Sequence, residues 1–190
     1  MSVDKSIRYY AATGPDNTED VLQLAKARAD ALGVTNVVVA STRGHSGVQA
    51  VKLFKGCNVV VVPHVTGMRG PGVQELDADL AAQIRAGGGT LVIAAHAFSG
   101  VNRAIQAKFN TMYPAGIIAQ TLRMFGQGMK VVVEIAAMAV DAGAIPVDED
   151  AIVIAGSGKG ADTAVVMRPD NSRNLFDIAI KEIIAKPHDP

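Results

Sequence analysis

The chain has 190 residues, of which 49% are hydrophobic, 19% charged and 4% aromatic, and its eighteen basic and eighteen acidic side chains balance to a formal net charge of +0. Neutral charge removes the long-range field that draws proteins to nucleic acid, and five Phe, three Tyr and no Trp leave few platforms for stacking bases. A mass of 19.7 kDa scales to roughly 8,600 Å² of folded surface against about 28,600 Å² unfolded, so one core without staples is sufficient and residues 1–190 read as a single domain.

No charged-then-apolar leader precedes Arg8, which predicts a cytoplasmic address. After a polar start, Asn17 or Thr18 is placed to cap a helix whose first turn carries Glu19 and Asp20. Its apolar stripe is Val21, Leu24, Ala25, Ala29 and Leu32, and Gly33 stops it. The run Asn36 to Ala40 is too short for a helix and apolar without alternation, the pattern of a strand buried on both faces of a parallel sheet. The unit then recurs. A helical pattern from Val48 to Phe54 leads to the strand run Asn58 to Val62, and one over Leu76, Leu80, Ala81 and Ile84 leads to Leu91 to Ala95. Alternation of this kind implies a parallel sheet with right-handed crossovers.

Between Ser99 and Gly143 the patterning is helical only, around Asn102 to Phe109, Pro114 to Phe125 and Met129 to Ala142. The last is rich in valine, but its length and its continuation through Glu134 and Met138 argue for helix. Strand runs return at Ile152 to Ala155 and Thr163 to Met167, too close for a parallel crossover and therefore antiparallel neighbours. The tail Lys186 to Pro190 reads as frayed. The longest apolar runs, Val59 to Val62 and Ile135 to Val140, fall far short of the ~20 residues of a membrane span.

Two loops can carry chemistry. Ser41-Thr42-Arg43-Gly44-His45-Ser46-Gly47 stands where a buried strand ends and a helix begins. Free N–H groups and the positive helix end suit a phosphate there, glycines admit close backbone approach, and Ser41, Thr42 and Ser46 add hydroxyls. The alternative is a plain turn with Ser46 as cap. Gly156-Ser157-Gly158-Lys159-Gly160-Ala161-Asp162-Thr163 leads from one of the last two strand runs to the other. It lacks the strand–loop–helix setting of a dinucleotide fingerprint, and reads either as a glycine hairpin or as a flap over a ligand held by the first loop.

The segments Val37 to Phe54 and Ala151 to Arg168 resemble the effector loop and last hairpin of the pyruvate kinase C-terminal domain. The runs His64-Val65-Thr66-Gly67, Ala95-His96-Ala97-Phe98-Ser99-Gly100 and Leu122-Arg123-Met124-Phe125-Gly126-Gln127-Gly128 resemble the small stand-alone family with that fold. The resemblance implies an α/β, three-layer, mostly parallel five-stranded sheet of order 3-2-1-4-5 with strand 5 antiparallel. It further implies a phosphorylated ligand at Ser41, Thr42, Gly44, Ser46 and Gly47, flavin mononucleotide (FMN) as occupant, and Thr66, Ser99, Gly126, Gln127, Gly128, Gly156, Gly158 and Lys159 as further contacts. Lys159 alone is a thin basic complement for a sugar bisphosphate, and 190 residues leave no room for the ~250-residue catalytic barrel of a pyruvate kinase.

His45, His64 and His96 each follow a strand run, and strand C-termini in an open α/β sheet face one crevice. Acid–base catalysis on a phosphorylated metabolite, hydrogen bonding to a flavin ring, metal binding or plain structural satisfaction all remain open for them. Arg43 is the nearest basic partner for a phosphate, with Arg103 and Arg123 behind it. Glu134 lies one turn from Lys130 in an apolar helix, either as a local ion pair or as a buried contact to a ligand or second subunit. Cys57 has no basic neighbours that would make it a reactive thiolate, and as the single cysteine it allows neither an intramolecular disulfide nor a cysteine-based zinc site. No paired catalytic carboxylates stand out. Low charge and the apolar stretch Ile117 to Val140 predict a homo-oligomer.

Overall fold

Runs of valine and isoleucine too short for helices form the centre of the molecule. The computed structural model describes residues 2–189. Its elements are β1 (Arg8–Tyr10), α1 (Thr18–Leu32), β2 (Asn36–Ala40), α2 (His45–Leu53), β3 (Asn58–Val62), α3 (Ala78–Ala86), β4 (Thr90–Leu91), α4 (Gly100–Phe109), α5 (Pro114–Arg123), α6 (Gln127–Asp141), β5 (Ala151–Ala155), β6 (Thr163–Arg168) and β7 (Ala179–Pro187). The sheet order is β1-β7-β6-β5-β2-β3-β4. β6 pairs antiparallel with both β5 and β7, and every other pairing is parallel.

The sheet therefore has seven strands and not five. β4-β3-β2-β5-β6 form a continuous block, and β7 and β1 extend it beyond β6. Both added strands lack a clean sequence signal. β1 is a three-residue strand, and β7 pairs with β6 through register shifts at Ala164/Val165 and Val166/Met167, which break the alternation that marks a half-buried strand. The tail is also ordered further than its composition suggests: Pro187 pairs with Tyr10, and His188 N–H donates to Tyr10 O at 2.8 Å. The strand expected over Leu91 to Ala95 is shorter than predicted. β4 ends at Leu91 with one further bond, Val92 N–H to Val61 O at 3.0 Å, because it is an edge strand with no neighbour on its far side.

Successive strand residues face opposite layers. Val37, Val39, Val59, Val61, Ile152 and Ile154 pack with α1, α2 and α3, where Phe54 is 1% exposed. Burial of a side chain of that size contributes about 1.5–3 kcal/mol. Val38, Val60, Val62, Val153 and Ala155 pack with α5 and α6 on the other face. The valine-rich segment is helix α6. It is covered by the sheet on one side and by α5 on the other, so it is apolar nearly all round.

Gly33 ends α1 in the left-handed region at φ 68°. Asn17 precedes α1 without capping it, its side-chain amide going to Ala12 O at 2.8 Å, while the Thr18 hydroxyl accepts from Ala161 N–H at 3.0 Å. A helix that feeds a parallel strand runs antiparallel to it, so the N-termini of α1, α2 and α6 all lie at the C-terminal edge of β2, β3 and β5. No helix among the described residues is long and apolar enough to cross a membrane.

Candidate functional site

At the end of β2 the chain turns sharply into α2. Ser41 N–H donates to Val62 O at 3.1 Å, keeping the turn against β3, and the Ser41 hydroxyl accepts from Gly47 N–H at 3.0 Å. Gly44 precedes α2 at φ 106°, and a Cβ there would lie 2.6 Å from Leu80 Cβ. A Cβ on Gly47 would lie 2.8 Å from Val61 Cγ1 and 2.9 Å from Ile84 Cδ1. Both glycines are thus required by packing against α3 and β3, whatever else the loop does.

Among the described residues, no acceptor takes the backbone N–H of Thr42, Arg43, Gly44, His45 or Ser46. Ser46 is 6% exposed and its hydroxyl has no partner there either, yet no fully buried side-chain oxygen or nitrogen is left unpaired, so this hydroxyl retains access to solvent. Arg43 contributes its carbonyl to Asp77 N–H at 3.3 Å and leaves its side chain exposed. Asp77 in turn caps α3, its Oδ1 accepting from the amides of Asp79 and Leu80. β2 and β5 are neighbours in register, so the glycine loop after β5 lies beside this turn.

In that second loop most glycines also have packing reasons. Gly156 has no room for a Cβ against Gly160 O at 2.5 Å, and Gly160 none against Pro15 Cα at 2.4 Å. Gly158, at φ 97°, and Lys159 are exposed at the tip. Buried Asp162 stitches the loop, accepting from Ser157 N–H at 3.0 Å and from the Thr163 hydroxyl at 2.8 Å. Gly128, in the first turn of α6, packs against that pair, while Gly126 precedes the helix at φ 122° and Gln127 Oε1 accepts from Arg123 Nε at 2.7 Å.

Beyond β3 and β4 two of the three histidines meet. The rings of His64 and His96 are 5.6 Å apart in an edge-to-face arrangement. His45, the first residue of α2, is exposed, and no hydrogen bond or ring contact joins it to the others among the described residues. His96 Nδ1 is 3.3 Å from Glu134 Oε2, and its Nε2 accepts from Val65 N–H at 3.3 Å. His64 Nδ1 is 2.7 Å from Glu75 Oε2, and Arg69 lies 3.5 Å from the other oxygen of that carboxylate. Thr66 takes a hydrogen bond from Gln74 Nε2 at 3.0 Å, and Gln74 also donates to His64 O at 3.2 Å. Ser99 precedes α4 without capping it through its side chain.

Glu134 is at once a local ion pair and a tertiary contact. At 2% exposure it bonds Lys130 on its own helix, the His96 ring, and Phe98 N–H at 3.0 Å, while Lys130 Nζ sits 5.6 Å from the centre of the Phe98 ring. Burial acts to raise the Glu134 carboxyl, but the His96 hydrogen bond and the Lys130 charge overcome it and hold the group at about 2. Burial pulls the Lys130 ammonium below its ordinary value, against the attraction of Glu134. The Glu75 carboxyl is held down chiefly by its hydrogen bond with His64, burial opposing. Sequence reasoning did not find Glu75 or Gln74; they lie in a loop, where no periodic pattern marks a residue. No group of three or more His, Cys, Asp and Glu side chains is arranged to hold a metal ion among the described residues.

The β2–α2 turn, the glycine loop closing β5 onto β6 and the polar edge beyond β3 all lie within the stretch that a family comparison identifies. Residues 19–167 match the family described as "Pyruvate kinase, alpha/beta domain", from the first turn of α1 to the last residues of β6. The chain belongs to the pyruvate kinase alpha/beta domain family.

Proposed function

We propose that this domain binds a phosphate-bearing small molecule at the C-terminal edge of its parallel strands, with the Ser41–Gly47 turn as the phosphate seat. The observation that carries the reading is the run of unpaired amides from Thr42 to Ser46 at the N-terminus of α2, beside the accessible Ser46 hydroxyl. Such donors, with the positive helix end behind them, favour a dianion. FMN is the proposed occupant. The donor set suits its phosphate, and the Thr66 hydroxyl and the free Nε2 of His64 suit the hydrogen-bonding edge of its ring.

The test is thermal unfolding and amide NMR of the purified chain with inorganic phosphate and with FMN. At a hundredfold excess over the dissociation constant a ligand stabilises by about 2.7 kcal/mol, a rise of roughly 5–10 °C for a chain of this size. Removing one charge-assisted hydrogen bond by Ser46→Ala weakens binding by roughly 10- to 150-fold. No stabilisation by either compound and no movement of the residue 42–46 amides rejects the reading. Gly44→Glu is a poor probe, because its side chain would collide with Leu80 before meeting any ligand.

A second copy of this chain is the partner proposed for the apolar side of the molecule. A groove of about 330 Å³ there is lined by residues including Ile117, Leu122, Val133 and Phe176, and Phe176 is 87% and Ile117 56% exposed.

A further inference from the structure

Of the histidines at the C-terminal edge, His64 and His96 have carboxylate partners, but their free valences differ. His96 is fully committed. Its Nδ1 donates to Glu134, its Nε2 accepts from Val65 N–H, and its side chain is 10% exposed. It has no lone pair or N–H left for a ligand, and it joins the loops after β3 and β4 to α6. His45 has no orienting partner among the described residues, so nothing fixes its tautomer or ring plane. His64 differs from both. Glu75 Oε2 takes its Nδ1–H at 2.7 Å, its Nε2 has no partner among the described residues, and its side chain is 31% exposed. A carboxylate on one ring nitrogen selects the tautomer, leaves a lone pair on the other, and balances the imidazolium that forms when that lone pair takes a proton.

The placement of this pair links it to the phosphate seat. His64 follows Val62, whose carbonyl holds Ser41 N–H, and the segment 74–77 bridges both sides. Gln74 bonds the His64 carbonyl, Glu75 the His64 ring, and Asp77 N–H the carbonyl of Arg43 within the turn. One short strap therefore fixes His64 relative to the turn that the proposed ligand would occupy.

We propose that His64 is the proton-exchanging residue of this site and Glu75 its positioning residue, acting on a phosphorylated ligand with an ionisable hydroxyl or phosphate proton. His64 Nε2 takes that proton: the ligand O–H bond breaks, the Nε2–H bond forms, the electron pair stays on the ligand oxygen, and reversal returns the proton. No other co-reactant is needed. The charged groups around the ring are Glu75 and, behind it, Arg69 on the loop after β3, then His96 with Glu134 and Lys130 of α6. The inference rests on the proposed phosphate seat, and its test separates the two.

Imidazole nitrogen NMR of labelled protein reports the tautomer directly. His64 is expected in the Nδ1–H form, mixed with the Nε2–H form in Glu75→Gln and restored in Glu75→Asp. An Nε2–H tautomer in the unaltered protein, or one indifferent to Glu75→Gln, overturns the proposal. Diethyl pyrocarbonate reads the free lone pair. His64 should be modified at Nε2 and His96 should not, and inorganic phosphate at tenfold over its dissociation constant should slow the His64 reaction about tenfold by occupancy. Phosphate that moves the residue 42–46 amides without protecting His64 overturns the proposal and leaves the phosphate seat standing. Phosphate that moves neither removes the seat, and with it the ligand on which His64 would act.

Discussion

Phe98 N–H donates to Glu134 Oε1 at 3.0 Å, joining the segment after β4 to the middle of α6 although the two residues are 36 positions apart in the chain. The other oxygen of the same carboxylate takes Lys130 and the His96 ring. One buried side chain therefore holds the edge of the sheet, the loop carrying His96 and the central helix of the second layer in a single arrangement.

Removing that carboxylate leaves Lys130 buried without its counter-charge and Phe98 N–H without an acceptor. Glu134→Ala is expected to destabilise the fold by about 3–5 kcal/mol, read as a fall in the urea midpoint. Replacing both charges, Lys130→Met with Glu134→Leu, is expected to cost less than Glu134→Ala, because no lone charge is left behind. A double variant that is less stable than Glu134→Ala contradicts this account.

The same group sets an acid limb in the stability profile. Glu134 is held at about 2 in the fold against an ordinary 4.5, so the unfolded chain binds the proton first as pH falls. The stabilisation is complete above about pH 4.5 and is lost as the pH falls toward 2. This contribution is on the order of 3 kcal/mol. Denaturant melts from pH 5 to 2 should show a steeper loss in the unaltered protein than in Glu134→Gln, and parallel curves would refute the assignment.

Gly128→Ala tests the seam between α6 and the last hairpin. The added Cβ would stand 2.1 Å from Thr163 Oγ1 and 2.5 Å from Thr163 Cβ, and Thr163 is fully buried. Overpacking of this kind costs about 1–3 kcal/mol. Pairing it with Thr163→Ser, which keeps the hydroxyl, should leave the defect largely in place, whereas Thr163→Gly should relieve it. Equal melting temperatures for Gly128→Ala and the unaltered protein would show that the seam yields freely.

The apolar groove predicts association. Light scattering at increasing concentration should give a mass above that of one chain, and Ile117→Glu, which places a charge on a 56% exposed position in the groove, should return it to one chain with the fold intact by circular dichroism. A monomer at high concentration rules the partner out.

Local physics made much of the architecture readable in the sequence. The unbroken apolar runs at Asn36–Ala40, Asn58–Val62 and Ala151–Ala155 announce strands buried on both faces, because a parallel sheet covered by helices admits no alternation. Gly33 marks the end of α1 for a reason internal to one residue, its left-handed φ. The Ser41–Gly47 turn was visible for the same kind of reason, since glycines and hydroxyls at a strand–helix junction are a local pattern. Tertiary structure alone decided the rest. β7 owes its place to bulged pairing with β6, and β1 to pairing with β7, so neither has a periodicity of its own. Glu75 reaches His64 only because the long loop between β3 and α3 folds back on itself, and Glu134 reaches Phe98 and His96 only because α6 packs beside the loop after β4. Sequence spacing determines what a residue can do within its own turn or strand. Which distant group shares its proton or its charge is set by the packing of helices on the sheet.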